Sequence, residues 1–243
     1  MPTAAKRKPS RPRTPPPVRF ATAADLMERL GGIPPERVLF DPLPGTATEA
    51  DLVWRHDRKE PGLLELIDGT LVRKPMGSPE SYIASRLNAR LDLFLETHDL
   101  GFLYTTDALI RVHPGQVRGP DVSFTGWAKR PDKTVPREPV TDIVPDLAVE
   151  ILSPGNTPKE IARKIGEYFA GGCRLVWVID PDTEAAEAYT SPTDRTAVPP
   201  AGALDGGDVL PGFRLPLAKL FERLAKPAPQ KKPPAKKPPR KKK

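Results

Sequence analysis

Hydrophobic and polar positions repeat along the chain in patterns that predict an α/β domain. Residues 63–67 and 70–73 are short apolar segments on either side of Asp68-Gly69, a pair that predicts a two-residue hairpin turn. Apolar residues at helical spacing between 78 and 95 predict a helix. Its apolar stripe consists of Ile83, Leu87, Leu91, Phe94 and Leu95.

The remaining segments predict further strands and helices. The strands are expected at 102–104, 108–113, 121–124, 146–152, 175–179 and 184–189, and shorter helices at 21–30, from Thr48 and at 216–224. A hairpin is expected around residues 205–207. Thr157, Pro158 and Glu160 form a capping box that predicts a helix ending at Gly171-Gly172. The succession indicates a mixed central β-sheet flanked by α-helices.

Charge divides the chain of 243 residues into three parts. Residues 1–19 carry six basic residues and residues 226–243 carry nine, and both segments are rich in proline and contain no acid. Residues 20–225 carry 23 basic residues and all 31 acids, a net charge of −8. The positive net charge of the chain, +7, therefore comes from its two ends. We expect both tails to be disordered, and the domain to span 20–225. The tails either bind nucleic acid through counterion release or only increase solubility.

Composition excludes several classes of protein. No apolar run is long enough to span a membrane, and the basic N-terminus is followed by prolines rather than by the apolar segment of a secretory signal. The single Cys173 excludes a disulfide framework, and His56, His98 and His113 lack the spacing of metal ligands. We therefore expect a cytoplasmic protein without a small-molecule cofactor.

Two charged residues occupy positions where the pattern predicts a core. Glu150 lies within the apolar run 147–152, where an unpaired carboxylate is costly. Lys164 lies on the apolar stripe of the next helix, with Ile161 three residues before it and Tyr168 four residues after it. Glu150 could form a simple buried ion pair, and Lys164 could extend its ammonium to solvent at the edge of the buried face. Alternatively, the lysine points at the carboxylate and both serve chemistry.

Two further acids complete a candidate set. Asp121 starts the strand 121–124, and Glu65 is flanked by apolar residues in 63–67; each is a weak signal alone. Together with Glu150 they are three acids expected on strands of one sheet. Carboxylates without histidine or cysteine suit a hard cation such as Mg²⁺ or Mn²⁺. Such an ion, assisted by Lys164, would support phosphodiester hydrolysis.

The same residues resemble a known pattern. Pro120-Asp121 followed by Glu150 in an apolar strand is similar to the signature of the PD-(D/E)XK nuclease superfamily, and residues 65–72, 145–157 and 204–213 resemble its Uma-type restriction endonuclease family. The resemblance covers about residues 37–222. It implies a restriction-endonuclease-like core, often dimeric, with Asp121 and Glu150 as metal ligands and Glu65 as a further acid. The superfamily lysine normally stands where this chain has Leu152, so Lys164 is the expected replacement.

Two functions remain open on the sequence. The first is a Mg²⁺-dependent DNA endonuclease that uses Glu65, Asp121, Glu150 and Lys164. The second is a non-catalytic DNA-binding or accessory protein that retains the fold and binds DNA through its basic tails. DNA is the expected partner in both cases, and a homodimer is a further expectation.

Overall fold

Threonine side chains cap three of the helices in the computed structural model, which describes residues 16–225. Thr157 forms the predicted capping box with Glu160, and Thr48 forms a second capping box with Asp51. Thr22 accepts a hydrogen bond from the backbone N–H of Asp25. The helices are α1 (Ala23–Arg29), α2 (Glu49–Asp57), α3 (Ser78–Leu95), α4 (Pro158–Ala170) and α5 (Leu217–Phe221).

The described strands form two mixed sheets and one small hairpin. They are β1 (Leu64–Ile67), β2 (Thr70–Arg73), β3 (Gly101–Thr105), β4 (Leu109–His113), β5 (Gln116–Arg118), β6 (Val122–Gly126), β7 (Val140–Thr141), β8 (Leu147–Ile151), β9 (Leu175–Asp180), β10 (Ala185–Tyr189), β11 (Arg195–Val198), β12 (Ala203–Asp205) and β13 (Arg214–Pro216). The five-stranded sheet has the order β2-β1-β5-β4-β7, the six-stranded sheet β11-β10-β9-β8-β6-β3, and β12 pairs with β13. In the six-stranded sheet only β8 and β9 run parallel, and α4 connects them.

Helices cover both faces of the six-stranded sheet. Val122, Val149 and Trp177 project to the face on which α3 and α5 pack, and that face is apolar. Ala148 and Val176 project to the opposite face, where they meet α4 and strand β4 of the other sheet. Helix α4 therefore lies between the two sheets. The mixed α/β fold with a helix-flanked sheet agrees with the prediction.

The expectation that three acids share one sheet is wrong. Glu65 lies on β1 of the five-stranded sheet, whereas Glu150 and the residue after Asp121 lie in the six-stranded sheet. The chain changes sheet between Arg118 and Val122, at Gly119-Pro120. Proline has no N–H to donate to a ladder, so β5 cannot continue through it. The short strands β5, β7 and β11 are not predicted by the sequence pattern, because two to four residues are too few for a clear alternation.

The predictions for the ends of the chain fall mostly outside the described residues, which exclude 1–15 and 226–243. Near the start of the described part, the backbone N–H of Val18 donates to the carbonyl of Gly45. Within residues 16–225, no helix combines the length and the apolar character that a membrane crossing would require.

Candidate active site

Glu150 lies on β8 and faces helix α4, where other charged side chains are also buried. Alternation along β8 sends Val149 and Ile151 towards α3 and sends Glu150 towards α4, where it is 2% exposed. Its Oε1 accepts a hydrogen bond from the Tyr168 hydroxyl at 2.6 Å, and its Oε2 lies 3.1 Å from the Lys164 ammonium. The predicted contact between Lys164 and Glu150 is therefore present.

Asp121 is brought beside Glu150 by the antiparallel pairing of β6 with β8. The backbone N–H of Asp121 donates to the carbonyl of Val149, and the Ile151 N–H donates to Asp121 Oδ2 at 2.7 Å. One carboxylate oxygen of Asp121 is thus fixed by the backbone of the strand that carries Glu150. The other, Oδ1, is directed to a cation described below.

Glu65 joins this site from the opposite sheet. It is fully buried, and its Oε1 lies 3.0 Å from the Lys164 ammonium, which is fully buried as well. The N–H of Gly119 also donates to Glu65 Oε1, at 3.2 Å. Lys164 therefore bridges Glu65 and Glu150, and the four residues proposed from the sequence meet at one place.

Lys74 belongs to the same site and was missed in the sequence. It follows β2 directly, and its side chain is 3% exposed. The Lys74 ammonium lies 2.8 Å from Asp121 Oδ1 and 3.4 Å from Glu150 Oε2, and it donates to the Gly119 carbonyl at 2.6 Å. A signal did exist, because alternation along β2 puts Lys74 on the same face as the buried Thr70 and Val72.

A second missed cation, Arg118, supports the site from β5. Its guanidinium donates to Glu65 Oε2 at 2.9 Å and to Glu167 Oε2 at 2.6 Å, and it is fully buried. The Glu167 side chain on α4 is 12% exposed because it pairs with both Arg118 and Arg163.

The surrounding charges hold Glu65 and Lys74 in their ionised forms. Burial alone would raise the pKa of Glu65, but Lys164, Arg118 and Lys74 lower it to about 2. Burial alone would lower the pKa of Lys74, but Glu150, Asp121 and Glu65 raise it above its ordinary value. The pKa of Tyr168 is raised by burial and by Glu150, so its hydroxyl stays protonated and donates to Glu150 Oε1.

Three oxygen atoms of the site could serve as donors to a divalent metal ion. Asp121 Oδ1, Glu150 Oε2 and the Gly119 carbonyl oxygen all contact one cationic nitrogen, so they are within reach of a common ion. Among residues 16–225, no group of three or more His, Cys, Asp or Glu side chains is arranged to hold a metal. Two carboxylates and a carbonyl suit a hard ion that keeps several waters, such as Mg²⁺.

The chain is similar to known proteins in sequence and in fold. The model of the Uma2 family, described as "Putative restriction endonuclease", matches residues 49–218. A crystal structure described as a "putative nuclease belonging to DUF820" from Anabaena variabilis ATCC 29413 is similar in fold, with a TM-score of 0.59 and 21% sequence identity over 68% of this chain and 94% of that chain. No curated protein matches the sequence.

Proposed function

Because this chain belongs to the Uma2 family, we propose that it is a nuclease that hydrolyses phosphodiester bonds in DNA with a divalent metal ion, Mg²⁺ or Mn²⁺. The observation that carries the proposal is the convergence of Asp121 and Glu150 on a single cation position, with their oxygens 2.8 and 3.4 Å from one nitrogen. Two carboxylates are brought together in a buried layer at considerable electrostatic cost, which a catalytic metal explains.

Asp121, Glu150 and the Gly119 carbonyl would hold the metal. When bound, the ion supplies Lewis-acid activation of water and neutralises charge on the phosphate. The protein's own task is to present the two carboxylates in the correct orientation. The Ile151 N–H orients Asp121, and the Tyr168 hydroxyl orients Glu150.

Lys164 is a positioning residue in this proposal. Its ammonium is fully buried and is held between Glu65 and Glu150, so it acts on a phosphate only through Glu150. Glu65 in turn fixes the ammonium of Lys164. Lys74 is the cation that contacts both proposed metal ligands.

The substrate would reach the site from the side of the segment 74–77, which joins β2 to α3. Met76 in this segment is exposed, and it lines a cavity of about 580 Å³ together with Leu63 and Arg55. Leu63 also adjoins the site, because its carbonyl accepts the N–H of Lys74. DNA is the proposed substrate; the basic ends of the chain would add affinity that decreases with salt.

The test is plasmid cleavage in Mg²⁺ and in Mn²⁺ by the wild type and by Asp121→Asn and Glu150→Gln. Both variants are expected to lose cleavage by about a hundredfold or more, as removal of a central electrostatic group does. Asp182→Asn, at an exposed acid in the β9–β10 turn, is the matched control and should cleave normally. Equal cleavage by all four proteins would refute the proposal, and thermal melting of each variant establishes that it is folded.

One observation favours the second candidate, a DNA-binding protein that does not cleave. Glu65, Asp121 and Glu150 each already contact a lysine, which is also how a purely structural ion network is built. This candidate predicts DNA binding that survives Asp121→Asn and Glu150→Gln but disappears when residues 1–19 and 226–243 are deleted. Electrophoretic mobility shifts of the three proteins, combined with the cleavage assay, distinguish the two functions, because the second candidate binds DNA and the wild type does not cleave it.

A further inference from the structure

The Lys74 ammonium has the surroundings of a bound metal ion. Its three oxygen partners come from three segments of chain: Asp121 before β6, Glu150 on β8 and the carbonyl of Gly119 between the sheets. Oxygen ligands from separate segments converging on one positive charge are what a hard divalent cation requires. The same oxygens cannot hold the ammonium and the metal at their present positions.

The balance of charges in the site also indicates that the Lys74 ammonium and a metal ion exclude each other. At the centre of the site three carboxylates face three cations, all with side chains at most 6% exposed: Glu65, Asp121 and Glu150 against Lys74, Arg118 and Lys164. Adding a divalent ion to this neutral set would place it beside the Lys74 ammonium, where like charges repel strongly because water is excluded. Moving Lys74 away removes that repulsion and frees the oxygens.

The two lysines differ in how they are attached. Lys164 lies within the helix α4, is fully buried, and contacts one carboxylate in each sheet. Lys74 lies outside any helix or strand, in the segment 74–77 beside the exposed Met76, and its flexible four-carbon stem can swing out. Of the two, Lys74 is therefore the one that a metal could displace.

We propose that Lys74 occupies the divalent-cation position of this site and leaves it when the metal binds to Asp121, Glu150 and the Gly119 carbonyl. The inference rests on the metal site proposed above. It makes Lys74 a competitor of the metal: the protein without metal is stabilised by the ammonium, and metal affinity is reduced by the need to displace it.

The first experiment measures Mn²⁺ affinity by electron paramagnetic resonance in the absence of DNA. Lys74→Met should bind Mn²⁺ about tenfold more tightly than the wild type, because one positive charge next to the ion is gone. Lys159→Met, at an exposed lysine of α4, should bind as the wild type does. The double variant Lys74→Met/Asp121→Asn should lose the gain, which places the effect at the proposed ligands.

The outcomes separate this inference from the proposed function. If the wild type binds Mn²⁺ and Lys74→Met binds it equally or more weakly, Lys74 is not a competitor and the inference is overturned while the metal site stands. If neither the wild type nor Lys74→Met binds Mn²⁺, the metal site itself fails and the inference fails with it.

A second measurement uses the wild type and does not depend on how the variant folds. Acetylation of lysine amines is followed by mass spectrometry with and without Mg²⁺. Lys74 should be protected without the metal and become reactive with it, whereas Lys164 should stay protected and the exposed Lys159 should react in both conditions. The Mg²⁺ concentration is chosen so that Mg²⁺ fully displaces bound Mn²⁺. If Lys74 is still protected from acetylation at that concentration, displacement of Lys74 by the metal is refuted.

Discussion

The two faces of the six-stranded sheet are built from the same strands and differ in the groups that they bury. Towards α3 and α5 the strands present Val122, Val149 and Trp177, and the face is held by burial of apolar surface. Towards α4 the apolar Ala148 and Val176 are joined by Glu150, with Asp121 beside it, and each of these two carboxylates has a cationic partner. The comparison teaches that the first, apolar face contributes to stability alone, whereas the second, polar face contributes to stability and also carries the candidate chemistry.

The largest effect on stability is expected on the polar face. Lys164→Met removes the cation shared by Glu65 and Glu150, and two buried carboxylates lose a partner. We expect a loss of about 3–5 kcal/mol in the free energy of unfolding, measured by urea denaturation. A loss below about 1 kcal/mol would mean that the polar face tolerates unpaired charge, and the contrast between the faces would disappear.

A substitution on the apolar face should lower the stability of the protein without changing its affinity for metal. Leu147→Ala removes a fully buried side chain that packs towards α3 and should cost about 2–5 kcal/mol, also measured by urea denaturation. Because the change leaves the carboxylates in place, Mn²⁺ affinity of the folded variant should stay at the wild-type value. A large change in that affinity would show that the two faces are not independent.

Acid should weaken the polar face selectively. The pKa of Glu65 is about 2 in the folded protein and 4.5 ordinarily, so its contribution is complete above pH 5 and is lost as the pH falls from about 4.5 towards 2. Burial alone would raise the pKa of Glu160 and of Glu167, but their partners lower it. The stabilisation that these two residues contribute is therefore also lost as the pH falls. Glu65 alone should account for roughly 3 kcal/mol.

The measurement is the free energy of unfolding between pH 7 and pH 3 for the wild type and Glu65→Gln. The variant should be less stable at pH 7, and its stability should depend less on pH over this range. Parallel curves for the two proteins would contradict the assignment of this pH dependence to Glu65.

The smallest effect is expected at an ion pair at the exposed edge of the six-stranded sheet. Glu187 on β10 contacts Arg195 on β11, and both side chains are more than a third exposed. Solvent screens such a pair, so Glu187→Gln should change the free energy of unfolding by less than about 0.5 kcal/mol. A cost approaching that of Lys164→Met would show that burial does not set the strength of the pairs in this sheet.

Much of the site could be predicted, because its signals are local. The charge of Glu150 within an apolar strand and the position of Lys164 on the apolar stripe of α4 are visible in windows of a few residues, and both lie where those patterns indicate. Lys74 and Arg118 gave weaker signals. Each follows or ends a short strand with too few neighbours to establish which face is buried.

The sequence by itself determined the longer elements, the cap of α4 and the position of Lys164 on its apolar stripe, because these depend on neighbours within one or two turns of chain. Only the tertiary structure decided that Glu65 belongs to a second sheet and that Lys74 lies between Asp121 and Glu150. Those contacts join residues from 47 to 99 positions apart: Lys74 is 47 from Asp121 and 76 from Glu150, and Lys164 is 99 from Glu65. Their geometry depends on how the sheets and α4 pack, which no local pattern encodes.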